Sequence, residues 1–151
     1  MATKVDYIPK GYHNVVPYVV CADVQGLIKF LEETFGAKME GPAMKGPDGS
    51  IAHAEIMIGN SHVMMGGAKE GHPPVPMCLY VYVEDTDAAY NRALKSGASS
   101  LMEPADQFYG DRNAGVKDNW GNMWYMATHK EDLTPDEIQK RAAEHYAACK
   151  N

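Results

Sequence analysis

The sequence predicts an α+β fold made of two tandem βαβββ modules followed by a C-terminal helix. Three observations carry this. The stretch 51–58, Gly59-Asn60, 61–66 reads as strand, turn and strand, and 111–118, 119–122, 123–128 repeats that grammar with Gly121-Asn122 lying 62 positions after Gly59-Asn60. Other landmarks keep nearly the same offset: Asp23 with Asp85 and Tyr18 with Tyr80 at 62, Gly36-Ala37 with Gly97-Ala98 at 61. The elements also come in one order in both halves, which is the signature of an internal repeat.

Each element follows from local chemistry. Residues 1–11 form a lead-in arm broken by Pro9 and Gly11. The run 13–21, HNVVPYVVC, is β-rich, and Pro17 inside it marks an edge position or a bulge. Asp23 offers an N-cap, after which Val24, Leu27, Ile28, Leu31 and Phe35 recur at helical spacing, so 24–35 is an amphipathic helix. Gly36 ends it. A strand is expected over 38–44, a turn at 46–49, and then the 51–58 and 61–66 strands.

The segment 67–76, GAKEGHPPVP, is the linker between the modules. A strand over 77–83 follows, then a short helix capped by Asp85 that runs to Ser96 and stops at Gly97. A strand near 99–103 and the 111–128 hairpin complete the second module. In that hairpin Gly121 and the flanking Asn119 and Asn122 are suited to positive φ. Thr134-Pro135-Asp136-Glu137 is a capping box that starts a tail helix, with Ile138, Ala142, His145 and Cys149 as a thin docking stripe. The expected organisation is therefore an arm over 1–11, a core domain over 12–129 (modules 12–67 and 77–129 around the linker) and a helical tail over 130–151.

Composition narrows the function. With 151 residues, 45% of them hydrophobic, the chain builds one domain or two small modules. A net charge of −6 with no basic block argues against nucleic acid as the main partner. Three cysteines with no C-x-x-C spacing point to a reducing, cytoplasmic setting, and neither a signal peptide nor a membrane-spanning run is visible.

Alternation assigns the faces. In 77–83, Leu79, Val81 and Val83 should pack on helices, while Cys78, Tyr80 and Tyr82 look the other way. In 51–58, Ala54, Ile56 and Ile58 form the core face, and His53, Glu55 and Met57 the other. In the return strand, Trp124 and Met126 oppose Met123 and Tyr125.

The stretches PYVVCAD, FGAK, GPDGSIAHAEIMIGNSHVMM, LYVYVEDTDA and PADQFYGDRNAGVKDNWGNMWYMATH make the chain resemble the vicinal oxygen chelate superfamily. That superfamily contains glyoxalase I, bleomycin-resistance proteins and extradiol dioxygenases, and the nearest branch is the PhnB-like proteins. The resemblance covers roughly 12–129. It implies a glyoxalase-like domain whose sheets cup a ligand site, and a homodimer, since family cups are often completed across subunits.

Metal-dependent members carry His, Glu or Gln on the first and last strands of each module. By strand position those slots fall here on Val16, on Val63 or Met64, on Cys78 and on Tyr125, with the 62-residue offset pairing Val16 with Cys78 and Val63 with Tyr125. None is a hard-metal ligand set. The resemblance therefore carries no metal onto these positions, and no cofactor is expected.

The remaining polar residues each admit two readings. His53 and Glu55 form either a general-base or ligand-orienting pair, with His62 as a third member, or a structural pair at a sheet edge or dimer interface. Tyr18, Tyr80, Tyr82, Tyr109 and Tyr125 either line a ligand cavity or fill it with their own rings. Arg112 either clamps an anionic ligand group or pairs with Asp111 or Glu55. Gly110 implies a bulge or close backbone approach. Cys78 has no activating base in the sequence and reads as a small hydrophobe rather than a nucleophile.

The favoured function is a metal-independent binding protein for a small organic ligand. The first alternative is a lyase, isomerase or dioxygenase-like enzyme using a divalent metal ion displaced onto His53, Glu55 and His62. The second is an interaction module with a closed cup.

Overall fold

The computed structural model describes residues 5–149. The chain forms two compact units that divide between Pro76 and Met77. The first holds β1 (Tyr18–Cys21), α1 (Val24–Phe35), β2 (Lys38–Met39), β3 (Met44–Lys45), β4 (Ile51–Ile58) and β5 (Ser61–Gly67). The second holds β6 (Cys78–Tyr82), α2 (Thr86–Lys95), β7 (Ser99–Asp106), β8 (Asp111–Lys117), β9 (Met123–His129) and α3 (Pro135–Ala148). The α+β class and the repeated βαβββ order are those expected.

The two sheets share one topology. Strand order is β1-β5-β4-β2 in the first, with β3 also on β4, and β6-β9-β8-β7 in the second. In each, the opening strand runs parallel to the closing strand, β1 on β5 and β6 on β9. The helix that follows the opening strand covers one face. Val19, Ile56 and Met65 of the first sheet are buried with Leu27 and Leu31 of α1, and Val116, Trp124 and Met126 of the second with Ala93 of α2. The opposite face of each sheet carries polar and aromatic side chains.

The caps form as read. Asp23 accepts from the Gly26 N–H and Asp85 from the Ala88 N–H, each at 2.9 Å. Gly36 closes α1 in the left-handed region, at φ 66°. Thr134 and Glu137 make the reciprocal capping box of α3. The docking stripe of α3 is only partly covered: Ile138 and Ala142 are half-buried, His145 and Cys149 are exposed, and the helix meets Phe108 through His145 and Tyr146.

Several boundaries differ from expectation, each for a physical reason. The strand expected over 13–21 begins only at Tyr18, because Pro17 has no N–H to give and contributes only its carbonyl, to Met64 N at 2.9 Å. The strand expected over 38–44 is split into β2 and β3, since Gly41 adopts φ 79° and Pro42 follows. β7 extends past 103 to Asp106, with Pro104 accommodated at an irregularity of an edge strand.

The linker is tied down: Val75 bridges to Val20, and Lys69 pairs with His72. In the 119–122 turn only Gly121 takes positive φ, at 91°, and neither asparagine does. Gly110 is a close approach as read, since a Cβ there would lie 2.7 Å from the Glu131 carbonyl oxygen. Residues 1–4 of the expected arm and 150–151 of the expected tail lie outside the described residues.

Register decides one further point. Tyr18 pairs with Met64 and Tyr80 with Tyr125, so Met64, not Val63, is the counterpart of Tyr125. Val63 points into the core, 3% exposed. The constant 62-residue offset fails by one residue: Tyr18 and Tyr80 stand 62 apart, but their partners Met64 and Tyr125 stand 61 apart. A one-residue slip moves a side chain to the other face.

Candidate functional site

In the second unit, Tyr80 and Tyr82 stand on the helix-free face of β6, their rings 5.4 Å apart and edge to face. Tyr125 lies opposite Tyr80 on β9. Its ring lies over Gly115 of β8, where a Cβ would sit 2.6 Å from a ring carbon. The missing side chain at 115 thus makes room for the tyrosine.

The same face of β8 presents Asp111 and Asn113, both buried. Asp111 Oδ2 accepts from the Tyr80 hydroxyl at 2.9 Å and the Tyr82 hydroxyl at 3.1 Å, while Oδ1 meets His129 Nδ1 at 2.9 Å. Asn113 Nδ2 donates to the hydroxyls of Tyr80 and Tyr109. Its Oδ1 is buried and has no partner among the described residues. Four expected ligand-side tyrosines are thereby placed on one unit, three of them hydrogen-bonded through Asp111 and Asn113.

The electrostatics follow. Burial pushes the Asp111 carboxyl up, but the hydrogen bonds from His129, Tyr80 and Tyr82 outweigh it, and the net shift is downward. Burial and the carboxylate hold the Tyr80 and Tyr82 phenols protonated, raising both above their ordinary value. His129 is raised by its hydrogen bond to Asp111 and by a second, at 2.9 Å, to Asp132.

A raised histidine stabilises the fold fully below its unfolded value of 6.5 and loses that contribution as pH rises through its folded value. The lowered Asp111 contributes above its ordinary 3.8 and loses that as pH falls through its folded value. An NMR titration of the imidazoles should therefore place the His129 midpoint above 6.5, and Asp111→Asn should return it towards 6.5. A wild-type midpoint at or below 6.5 would refute the pairing.

Arg112 does not join this face. It points to the helix side, where Nε and Nη2 grip Asp87 of α2 at 2.6 and 2.8 Å and Nη1 reaches Asp106 at 3.2 Å. The two readings of Arg112, ligand clamp or partner of Asp111 or Glu55, give way to a bridge between helix and sheet edge. Asp87 was not singled out from sequence, because nothing local links it to a residue 25 positions away.

The first unit carries a second cluster. His53 Nε2 meets Glu55 Oε1 at 3.2 Å and His53 Nδ1 meets the Tyr18 hydroxyl at 3.3 Å. Tyr12 donates its hydroxyl to Glu55 Oε2. That hydrogen bond is the main cause of a lowered Glu55 and of a Tyr12 phenol pushed up to about 12. His62 stacks on the Tyr12 ring at 3.8 Å rather than joining the dyad directly, and its Nδ1 is buried without a partner among the described residues. Sequence reasoning missed Tyr12, which lies in an irregular segment 43 residues from its partner.

These residues do not fit a metal ion. Val16 precedes β1, Val63 is core, Met64 and Tyr125 share the helix-free positions, and Cys78 is an exposed thiol. Among the described residues no group of three or more His, Cys, Asp and Glu side chains stands together as a metal-holding set, the displaced trio of His53, Glu55 and His62 included.

A family model described as the Glyoxalase/Bleomycin resistance protein/Dioxygenase superfamily matches residues 12–126. An uncharacterised protein of Mycobacterium bovis is 32% identical over 134 residues, covering 82% of this chain and 88% of that one. One from Mycobacterium tuberculosis is equally similar, covering 82% and 78%. Among solved structures, TioX from Micromonospora sp. ML1 aligns with TM-score 0.63 at 23% identity, over 78% of this chain and 98% of that one. TnmS3, an antibiotic binding protein from Streptomyces sp. CB03234, aligns with TM-score 0.62 at 19% identity, over 83% and 100%. These two likenesses establish a shared fold.

Proposed function

Because the chain belongs to the glyoxalase/bleomycin resistance protein/dioxygenase superfamily, we propose that it binds a small organic molecule, without a metal ion, on the tyrosine-lined face of the second unit. One observation carries the reading. The hydroxyls of Tyr80, Tyr82 and Tyr109 are pinned by Asp111 and Asn113, yet the side chains of Tyr80 and Tyr82 stay 44% and 65% exposed. Rings held in place lose little entropy when a planar ligand stacks on them, and their polar ends can orient it. An aromatic natural product suits that surface, and the antibiotic binding named for TnmS3 supports this class. The protein would act as a homodimer in a reducing compartment, where the exposed thiols of Cys78 and Cys149 persist.

The test is a melting scan against planar aromatic natural products, run with chelator and again with added divalent ions. A ligand at about 100 times its Kd should add about 2.7 kcal/mol with chelator present. Tyr80→Ala should weaken binding by about tenfold, the loss of one aromatic stacking contact. About one divalent ion held per chain, and lost in His53→Ala, would instead favour the metal-dependent enzyme. Silence in both series would favour the closed interaction module.

A further inference from the structure

The segment 5–17 reaches the helix-free face of the first sheet through one side chain. Apart from Ile8, Tyr12 and Val16, residues 5–16 are exposed. Among the described residues their only side-chain hydrogen bond is the one Tyr12 donates to Glu55. Backbone attachment to the sheet begins at the Pro17 carbonyl. A turn presents the Tyr12 ring: its own N–H closes on the Pro9 carbonyl at 3.0 Å, with Gly11 at φ 87°. The ring stacks on His62, centroids 3.8 Å apart and planes 18° from parallel, while its hydroxyl meets Glu55 Oε2.

These are the contacts a protein makes to a phenol that it binds: a flat ring partner and a charged acceptor for the hydroxyl. The Glu55 carboxyl is lowered chiefly by this hydrogen bond, so the acceptor is the ionised form. Register shows why the phenol comes from the arm. In the second unit Tyr125 stands opposite Gly115, and the matching pair in the first is Met64 opposite Glu55. The first sheet supplies no ring of its own there, and Tyr12 brings one from outside the sheet. Tyr12 is an incomplete occupant. His62 is 8% exposed, and its Nδ1 stays without a partner among the described residues. A phenol with one more polar group has that position to gain.

We propose that the 5–17 segment is a strap held shut by Tyr12 acting as an internal ligand, and that a free phenol opens it by taking the Tyr12 seat on His62 and Glu55. No covalent bond changes. The Glu55 carboxylate exchanges one phenolic O–H donor for another, and the arm is released up to Pro17. An internal ligand lowers the apparent affinity for a free one in proportion to the fraction of molecules whose strap is open. The device belongs to the first unit and does not depend on ligand binding on the second.

The experiment uses the full chain, with p-cresol, the tyrosine side chain in isolation, as the probe. Saturable shifts of the His62 ring protons should show p-cresol binding Tyr12→Ala at least about tenfold more tightly than wild type. Tyr12→Phe, which keeps the ring and loses the hydroxyl, should fall between the two. Toluene should bind Tyr12→Ala about tenfold more weakly than p-cresol does, and Glu55→Leu in the Tyr12→Ala background should cost p-cresol the same factor. Trypsin reads the opening. Cleavage after the exposed Lys10 should be faster in Tyr12→Ala than in wild type, and saturating p-cresol should bring wild type to the Tyr12→Ala rate. Tyr80→Ala should leave the His62 response unchanged, which separates the strap from the tyrosine face. The proposal is overturned if p-cresol binds wild type and Tyr12→Ala equally, if Tyr12→Ala gives no saturable shift at His62, or if the rate of cleavage after Lys10 answers neither to the substitution nor to p-cresol. Shifts confined to Tyr80 and Gly115 would place the phenol on the second unit and overturn it as well.

Discussion

Asp118→Ala is expected to cost about 3–5 kcal/mol, the range seen when a buried charged hydrogen-bond partner is removed. Asp118 is 4% exposed. Its Oδ1 accepts the backbone N–H groups of Trp120 and Asn122, and its Oδ2 accepts Asn122 Nδ2 and the Trp124 indole N–H, all at 2.8–2.9 Å. Alanine would remove one acceptor from four donors at once. Trp124 is fully buried, so water has no ready route to the indole.

Turn and core would fail together, because the same carboxylate closes the hairpin turn and anchors the largest core side chain. Urea denaturation measures the loss. Trp124→Phe in the Asp118→Ala background should recover part of it, since the stranded indole donor is gone, and a double-mutant cycle should show coupling above about 1 kcal/mol. A single-mutant cost below about 1 kcal/mol would mean that solvent replaces the carboxylate and that the turn stands without it.

The second large effect is on the tyrosine face. Asp111→Ala should cost about 2–3 kcal/mol, the value of hydrogen bonds to a buried charged acceptor. It should also weaken the aromatic ligand by about tenfold or more, because Tyr80 and Tyr82 lose the acceptor that orders them. Asp111→Asn separates shape from charge. It keeps the size and one acceptor oxygen, so it should retain more stability than alanine while releasing His129. Ligand affinity equal to wild type in Asp111→Ala would show that the tyrosines need no such ordering, and the binding face would have to be sought elsewhere.

Features legible in the sequence were those set within a few residues. The caps at Asp23 and Asp85 act over three residues, and the capping box at Thr134 likewise. The Gly59-Asn60 and Gly121-Asn122 turns announced two antiparallel hairpins, both present as β4–β5 and β8–β9. Period-2 alternation separated Trp124 and Met126, both fully buried, from Met123 and Tyr125. It also grouped His53 with Glu55, since residues two apart on a strand share a face whatever the sheet around them does.

The sequence by itself determined the α+β class, the doubled βαβββ order, the helix limits of α1 and the residue types available to each sheet face. Only tertiary structure decided which of those residues meet. Tyr12 reaches Glu55 across 43 positions, Tyr80 reaches Asp111 across 31, and Arg112 reaches Asp87 across 25. Such pairings depend on strand order and register, and register shifted by one residue between the modules, which made Met64 rather than Val63 the counterpart of Tyr125. Local propensity carries no record of that difference, because a cap or a turn has the same free energy wherever its element docks. A polar side chain, by contrast, takes its partner from whichever strand the packed core brings alongside.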